Sequence, residues 1–207
     1  MKCHHTFSSV LLLAAVFAPQ AYAQSVVPEP LSVTRGLMIS GSATGASLKA
    51  GSSSDFDGGR GGGLTVGFGF SDSWTFFLSG DGATMTSQDG SGTYGLGFGD
   101  LGLRWHFGTG SRVVPYLEGS YTARAAKQSM YINRSYVDVE MKGTGWSGGA
   151  GLMVYLTPHA AIDLAALYTT GDFTEATANG QSVPSFPALS ATGARVRIGL
   201  TAFIFDK

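Results

Sequence analysis

Between residues 61 and 70 the chain places Leu64, Val66, Phe68 and Phe70 on alternate positions, with Thr65, Gly67 and Gly69 between them. Period-two alternation sorts two kinds of side chain onto opposite faces of a β-strand. The unusual part is the second face. In a water-soluble sheet it would be charged, but here it is glycine, serine and threonine. Similar segments follow at 73–84, 93–107, 113–125, 144–157, 160–169 and 192–205, with a weaker one at 34–44. These eight segments predict an all-β chain. In the fourth, Tyr94, Leu96 and Phe98 occupy even positions, whereas Leu101, Leu103, Trp105 and Phe107 occupy odd ones. That change of phase predicts a β-bulge near Gly99-Asp100.

Before the first segment lies a targeting sequence. Lys2 supplies a positive start, Val10 to Ala18 an apolar core, and Ala21-Tyr22-Ala23 a cleavage site. Residues 1–23 therefore read as a cleaved signal peptide, 24–33 (with Pro28 and Pro30) as a short lead-in, and 34–207 as one barrel domain. Cys3 leaves with the signal, which excludes disulfides. His106 and His159 are the histidines left, too few for a histidine-built metal site, and no cofactor is expected. The 184 residues after position 23 carry 12 basic and 14 acidic side chains. This is well below the roughly 25 % charge of a typical soluble domain. No basic stripe points to nucleic acid.

No apolar run after residue 23 approaches the ~18 residues of a membrane-crossing helix. In lipid every backbone polar group must be satisfied internally, so the remaining way to cross is a closed barrel. The connections fit one: short at 71–72, 108–112 and 157–159, longer at 45–60, 85–92, 126–143 and 170–191. Tight periplasmic turns and longer external loops would give this alternation. Trp74, Trp105, Phe107 and Phe205 fall near the short turns, and Tyr94, Tyr121, Trp146 and Tyr168 toward the long loops. They are read as two interfacial belts. A secreted soluble barrel is the rival, but its outer face would be rich in Lys, Glu, Asp and Arg.

The segments Gly95-Leu96-Gly97-Phe98-Gly99-Asp100-Leu101-Gly102-Leu103-Arg104-Trp105-His106-Phe107 and Tyr155-Leu156-Thr157-Pro158-His159-Ala160-Ala161-Ile162-Asp163-Leu164 resemble the strands and turns of the small outer-membrane barrels of the OmpA/OmpX type. The resemblance extends over the whole chain after the signal. It implies an eight-stranded antiparallel up-and-down transmembrane β-barrel in the outer membrane of a Gram-negative bacterium, surrounded by outer-membrane lipids. The end of the chain, Arg197-Ile198-Gly199-Leu200-Thr201-Ala202-Phe203-Ile204-Phe205, is similar to the segment by which such barrels engage the barrel-assembly machinery. It departs from that pattern by ending in Asp206-Lys207 rather than an aromatic residue.

Several charged positions fall on the face turned into such a barrel: Asp81, Arg104, His106, Glu118, Arg124, Asp163, Arg195 and Arg197. A lone buried charge is very costly, so the seven acids and arginines are expected to pair across strands and fill the interior. The leading functional expectation is a non-enzymatic barrel that anchors surface loops for envelope integrity or for binding an external ligand. A narrow channel for ions or small solutes is the alternative. A lipid-modifying enzyme is a remote third, since neither His106 nor His159 sits in the His-x-Ser-Asn arrangement of a barrel deacylase. Gly58 to Gly63 lacks the Lys-Ser/Thr and the helix of a phosphate loop. Residues 128–142 alternate in their own right, which predicts that strands five and six continue beyond the membrane, where a sheet edge could receive another chain.

Overall fold

The computed structural model describes residues 31–51, 55–88, 90, 92–132 and 135–204. The signal segment, most of the lead-in, Asn133-Arg134, Phe205 and Asp206-Lys207 lie outside the described residues. The strands are β1 (Gly36–Ala50), β2 (Asp57–Gly69), β3 (Trp74–Thr86), β4 (Thr93–His106), β5 (Val113–Ile132), β6 (Ser135–Thr157), β7 (Ala160–Ala178), β8 (Gln181–Ser182) and β9 (Leu189–Ile204). Each long strand pairs antiparallel with the next, and β9 returns to pair with β1 along Leu37↔Ile204 to Ala50↔Ala191. This gives the expected closed, eight-stranded up-and-down barrel. Closure removes both sheet edges, the condition a sheet must meet in lipid. The two-residue β8 folds back on the end of β7. Between them Asn179 and Gly180 both have positive φ, 50° and 78°. That pair of conformations matches the tight hairpin turn for which Asn-Gly is preferred.

The alternation holds, but its meaning changes along the barrel. At the short-turn end Phe76, Leu78, Leu101, Leu103, Val66, Phe68, Ile198 and Leu200 face outward, as lipid requires. Toward the other end the apolar residues turn inward: Leu48, Met85, Leu96, Phe98, Ala126 and Phe173 form a buried cluster. The expected bulge at Gly99-Asp100 is therefore absent, and β4 pairs with β3 and β5 through that point in unbroken register. Hydrophobicity changed face; the backbone did not. Beyond the membrane the outside of the barrel meets water, so its inside takes the apolar residues, as in a soluble protein. The register irregularities lie elsewhere, between β6 and β7 at Lys142/Gly143 and Tyr155/Thr157.

The same reversal explains why the external loops are shorter than expected. Much of 45–60, 126–143 and 170–191 is strand: β5, β6 and β7 run for 20, 23 and 19 residues. About 9–11 residues cross a membrane, so these strands continue outside it. At the opposite end the segment before β1 closes the barrel. The Val33 N–H donates to the Pro158 carbonyl at 2.8 Å, and the Tyr155 hydroxyl donates to the Val33 carbonyl at 2.9 Å. Thr34 Oγ1 donates to the Asp72 carbonyl at 2.6 Å. Above this cap sits a second apolar cluster that includes Met38, Phe77, Val114, Met153 and Phe203.

The inner face of β2 is mostly glycine because its neighbours need the room. A Cβ on Gly63 would stand 2.0 Å from Asp81 Oδ1, and one on Gly67 2.8 Å from Met38 Cε. Overpacking a filled interior costs about 1–3 kcal/mol. Gly63→Val is expected to destabilise the barrel by at least that much, because it also displaces a buried carboxylate. Urea unfolding of protein refolded into lipid vesicles measures this, and Gly80→Val, on the outer face of the neighbouring β3 where a Cβ meets nothing within 4 Å, serves as the comparison.

Candidate functional site

Between the two apolar clusters lies a layer of charge. Glu118 on β5 stands at its centre. Arg104 on β4 donates to Glu118 Oε2 through Nε at 3.1 Å and Nη2 at 2.8 Å. Arg197 on β9 donates through Nη2 to Glu118 Oε1. One carboxylate thus holds two guanidinium groups, one per oxygen. Arg104 also reaches Asp163 on β7 through Nη1 at 3.1 Å, and Asp163 accepts the Tyr116 hydroxyl at 2.6 Å.

The layer continues upward. Arg197 lies 3.8 Å from Asp81 on β3. Arg195 donates to Asp81 at 2.9 Å and to both oxygens of Asp100, at 2.7 and 3.0 Å. The remaining acceptor capacity of Asp100 is taken by the hydroxyls of Ser79, Ser120 and Thr122, at 3.2, 3.4 and 2.5 Å. Thr44 donates to Asp81, and Ser147 accepts from Arg195. These hydroxyls are the polar half of the alternation, and their function is to satisfy buried charges, which would otherwise be too costly to keep. Aromatic faces help as well: the Arg104 guanidinium lies 4.0 Å from the Tyr116 ring centre and that of Arg195 4.3 Å from Phe98.

The structure joins six of the seven predicted residues: Asp81, Arg104, Glu118, Asp163, Arg195 and Arg197. Arg124 does not join them. It is buried one layer higher, donates to the Ala191 carbonyl at 3.0 Å and lies 5.8 Å from the Phe173 ring centre. Among the described residues its Nε and Nη2 find no hydrogen-bond acceptor, and it makes no ion pair within 4.0 Å. His106 also stays out of the ion pairs, with Nε2 3.0 Å from Thr75 Oγ1. Asp100 is the member that sequence reasoning missed, because the supposed bulge hid its inward position. Read at constant phase, Asp100 shares the face of Arg104 and His106.

The outer aromatic residues divide by level. Trp74 and Trp105 stack at 5.7 Å beside Phe107, next to the short turns. Tyr121 and Trp146 meet edge to face at 5.4 Å, and Tyr168 is exposed on β7. Tyr94 departs from its expected belt. It turns inward against the upper apolar cluster and donates its hydroxyl to Asp57 at 2.8 Å. The reversal of faces along β4 is the reason, so the spacing from Tyr94 to Trp105 does not measure a membrane span.

Residues 8–201 match the family described as outer membrane protein beta-barrel domain. The chain belongs to this family. It is an outer-membrane barrel protein, and its location is the outer membrane. Neisserial surface protein A superposes with a TM-score of 0.63 at 16 % identity, covering 82 % of this chain and 97 % of that one. OprG from Pseudomonas aeruginosa gives 0.58 at 18 % identity, covering 84 % and 98 %. Ail, the attachment invasion locus protein of Yersinia pestis, gives 0.52 at 16 % identity, covering 81 % and 99 %. At these identities the likeness is one of fold. The comparison with curated proteins returns no match.

Removing one partner of a buried ion pair typically costs about 3–5 kcal/mol, because it leaves the other charge uncompensated. Glu118→Ala leaves Arg104 with Asp163 alone and Arg197 with the more distant Asp81, and is expected to fall within that range. Denaturant unfolding in vesicles measures the loss. Glu118→Gln, which keeps the shape and one acceptor oxygen, is expected to cost less than Glu118→Ala.

Proposed function

We propose that this outer-membrane barrel is a non-enzymatic, filled scaffold that anchors extracellular strands for envelope integrity and external binding. The observation that carries this reading is the interior. The void within the charge layer, beside Ser40, Thr65, Arg104, Asp163 and Arg197, measures about 10 Å3. That is at the lower limit for one water molecule. An eight-stranded barrel is just wide enough for its side chains to fill it, and here the ion pairs hold them across five strands.

The external part of the reading rests on the long strands. The β4–β5 pairing runs from His106↔Tyr116 to Gly95↔Lys127, while β5 continues to Ile132. Among the described residues, Ser129 to Ile132 have no β4 partner, and this end of β5 presents an edge suited to strand addition. At the tip Tyr131 and Tyr136 pack at 5.0 Å, 63 % and 76 % exposed. Exposed aromatic pairs of this kind are good anchors for a partner. The segment 1–23 serves as the cleaved export signal, and the end of β9 as the region engaged by the barrel-assembly machinery. No catalytic role is assigned. His106 is buried against Thr75, and His159 lies in the 158–159 turn at the end opposite the long strands.

Planar-bilayer recording separates the scaffold from the channel alternative. The purified barrel is expected to give no unitary conductance in 1 M KCl, and Glu118→Ala to raise at most baseline noise. Regular conductance steps from the wild-type protein would replace the scaffold reading with a channel.

A further inference from the structure

Among the described residues, the upper apolar cluster packs closely at its sides but leaves space at its top. A pocket of about 180 Å3 lies there, inside the extracellular mouth. Its floor is Leu48, Ala126 and Phe173, all buried, and its walls are the half-buried Ala50, Val139 and Met141. Below the floor, Met85, Leu96 and Phe98 pack tightly, followed by Arg124 and the charge layer. The pocket is therefore blind. It faces water rather than lipid, yet its floor and three of its walls are apolar, with Ser87, Tyr94 and Gln128 completing the lining; an apolar floor with a few polar groups around it marks binding sites.

Its chemistry narrows the ligand. Asp57 is the acidic residue of the lining, whereas Lys127, next to the buried Ala126, belongs to the outer face of β5; with its one inward carboxylate already engaged, the mouth favours a neutral molecule over an ion. The Asp57 carboxylate already accepts the Tyr94 hydroxyl at 2.8 Å and the Gln88 N–H at 3.0 Å, so the rim is a fixed polar collar. An apolar cavity of roughly 150 Å3 stays dry and accepts a benzene-sized molecule. We propose that this mouth pocket binds small uncharged molecules, a single aromatic ring or a short alkyl chain, from the extracellular side. The proposal deepens the external-binding part of the proposed function. It does not depend on whether the barrel conducts, so the bilayer recording and the binding test fail separately.

Fluorobenzene is a suitable probe, followed by 19F NMR with the full-length protein in lipid nanodiscs. Empty nanodiscs provide the baseline for partition into lipid. The wild-type protein is expected to add a saturable component with one site per barrel. Ala126→Leu fills the pocket from its floor and is expected to weaken that component at least tenfold. Ala50→Phe fills it from a half-buried wall and reads the same effect if the floor variant fails to fold, which the heat-dependent gel shift reports. Partition no greater than in empty nanodiscs would overturn the proposal. So would saturable binding that a folded filled variant leaves within twofold of wild type.

Discussion

The barrel turns on Glu118 and the two guanidinium groups it holds. Four carboxylates and three arginines occupy a buried layer, and they find their partners inside the wall. A buried ion pair is weak evidence for added stability, since desolvation can offset its attraction. Its stronger effect is on register. A one-residue slip of any strand would turn its charged residue out toward lipid. Arg104, Glu118, Asp163, Asp81 and the Arg195–Arg197 pair thus tie β4, β5, β7, β3 and β9 to a single alignment.

That layer also divides the barrel into two environments. Below it, lipid surrounds the wall and apolar side chains face outward. Above it the strands leave the membrane and the apolar residues move inside, over Leu96, Phe98 and Phe173. One continuous sheet serves both solvents by exchanging the roles of its two faces. The exchange is the reason an apolar pocket can exist at the mouth at all. Below the charge layer the interior is apolar too, around Met38, Phe77 and Phe203, but there it is packed shut beneath the Val33 cap.

The glycines have a matching role. Those on the inner face of β2 are positions where the barrel wall must be thin so that Asp81, Met38 and Met85 fit across it. On the outer face toward the long-strand end, Gly80, Gly82, Gly97 and Gly99 meet little or nothing in space. Composition alone does not distinguish these two populations, yet they respond oppositely to an added side chain.

Sequence alone determined the strands, the closed barrel and the inward position of the six residues that form the ion pairs. Period-two alternation is a local property, and the scarcity of charge on both faces left lipid as the outer solvent. It also showed that strands five and six run on, through the alternation of 128–142. What it did not determine was where along each strand the solvent changes. The phase change in β4 has two local explanations, an inserted residue or a reversed environment, and only the unbroken pairing of β3, β4 and β5 decides between them. Asp100 and Tyr94 were misplaced for that one reason. Arg124 required the tertiary structure as well, since its level relative to Asp100 and Phe173 depends on the stagger between strands, which no single strand records. The charged residues that sequence reasoning first assigned to the interior remain its centre, now with Glu118 shared between two arginines and Asp100 among them.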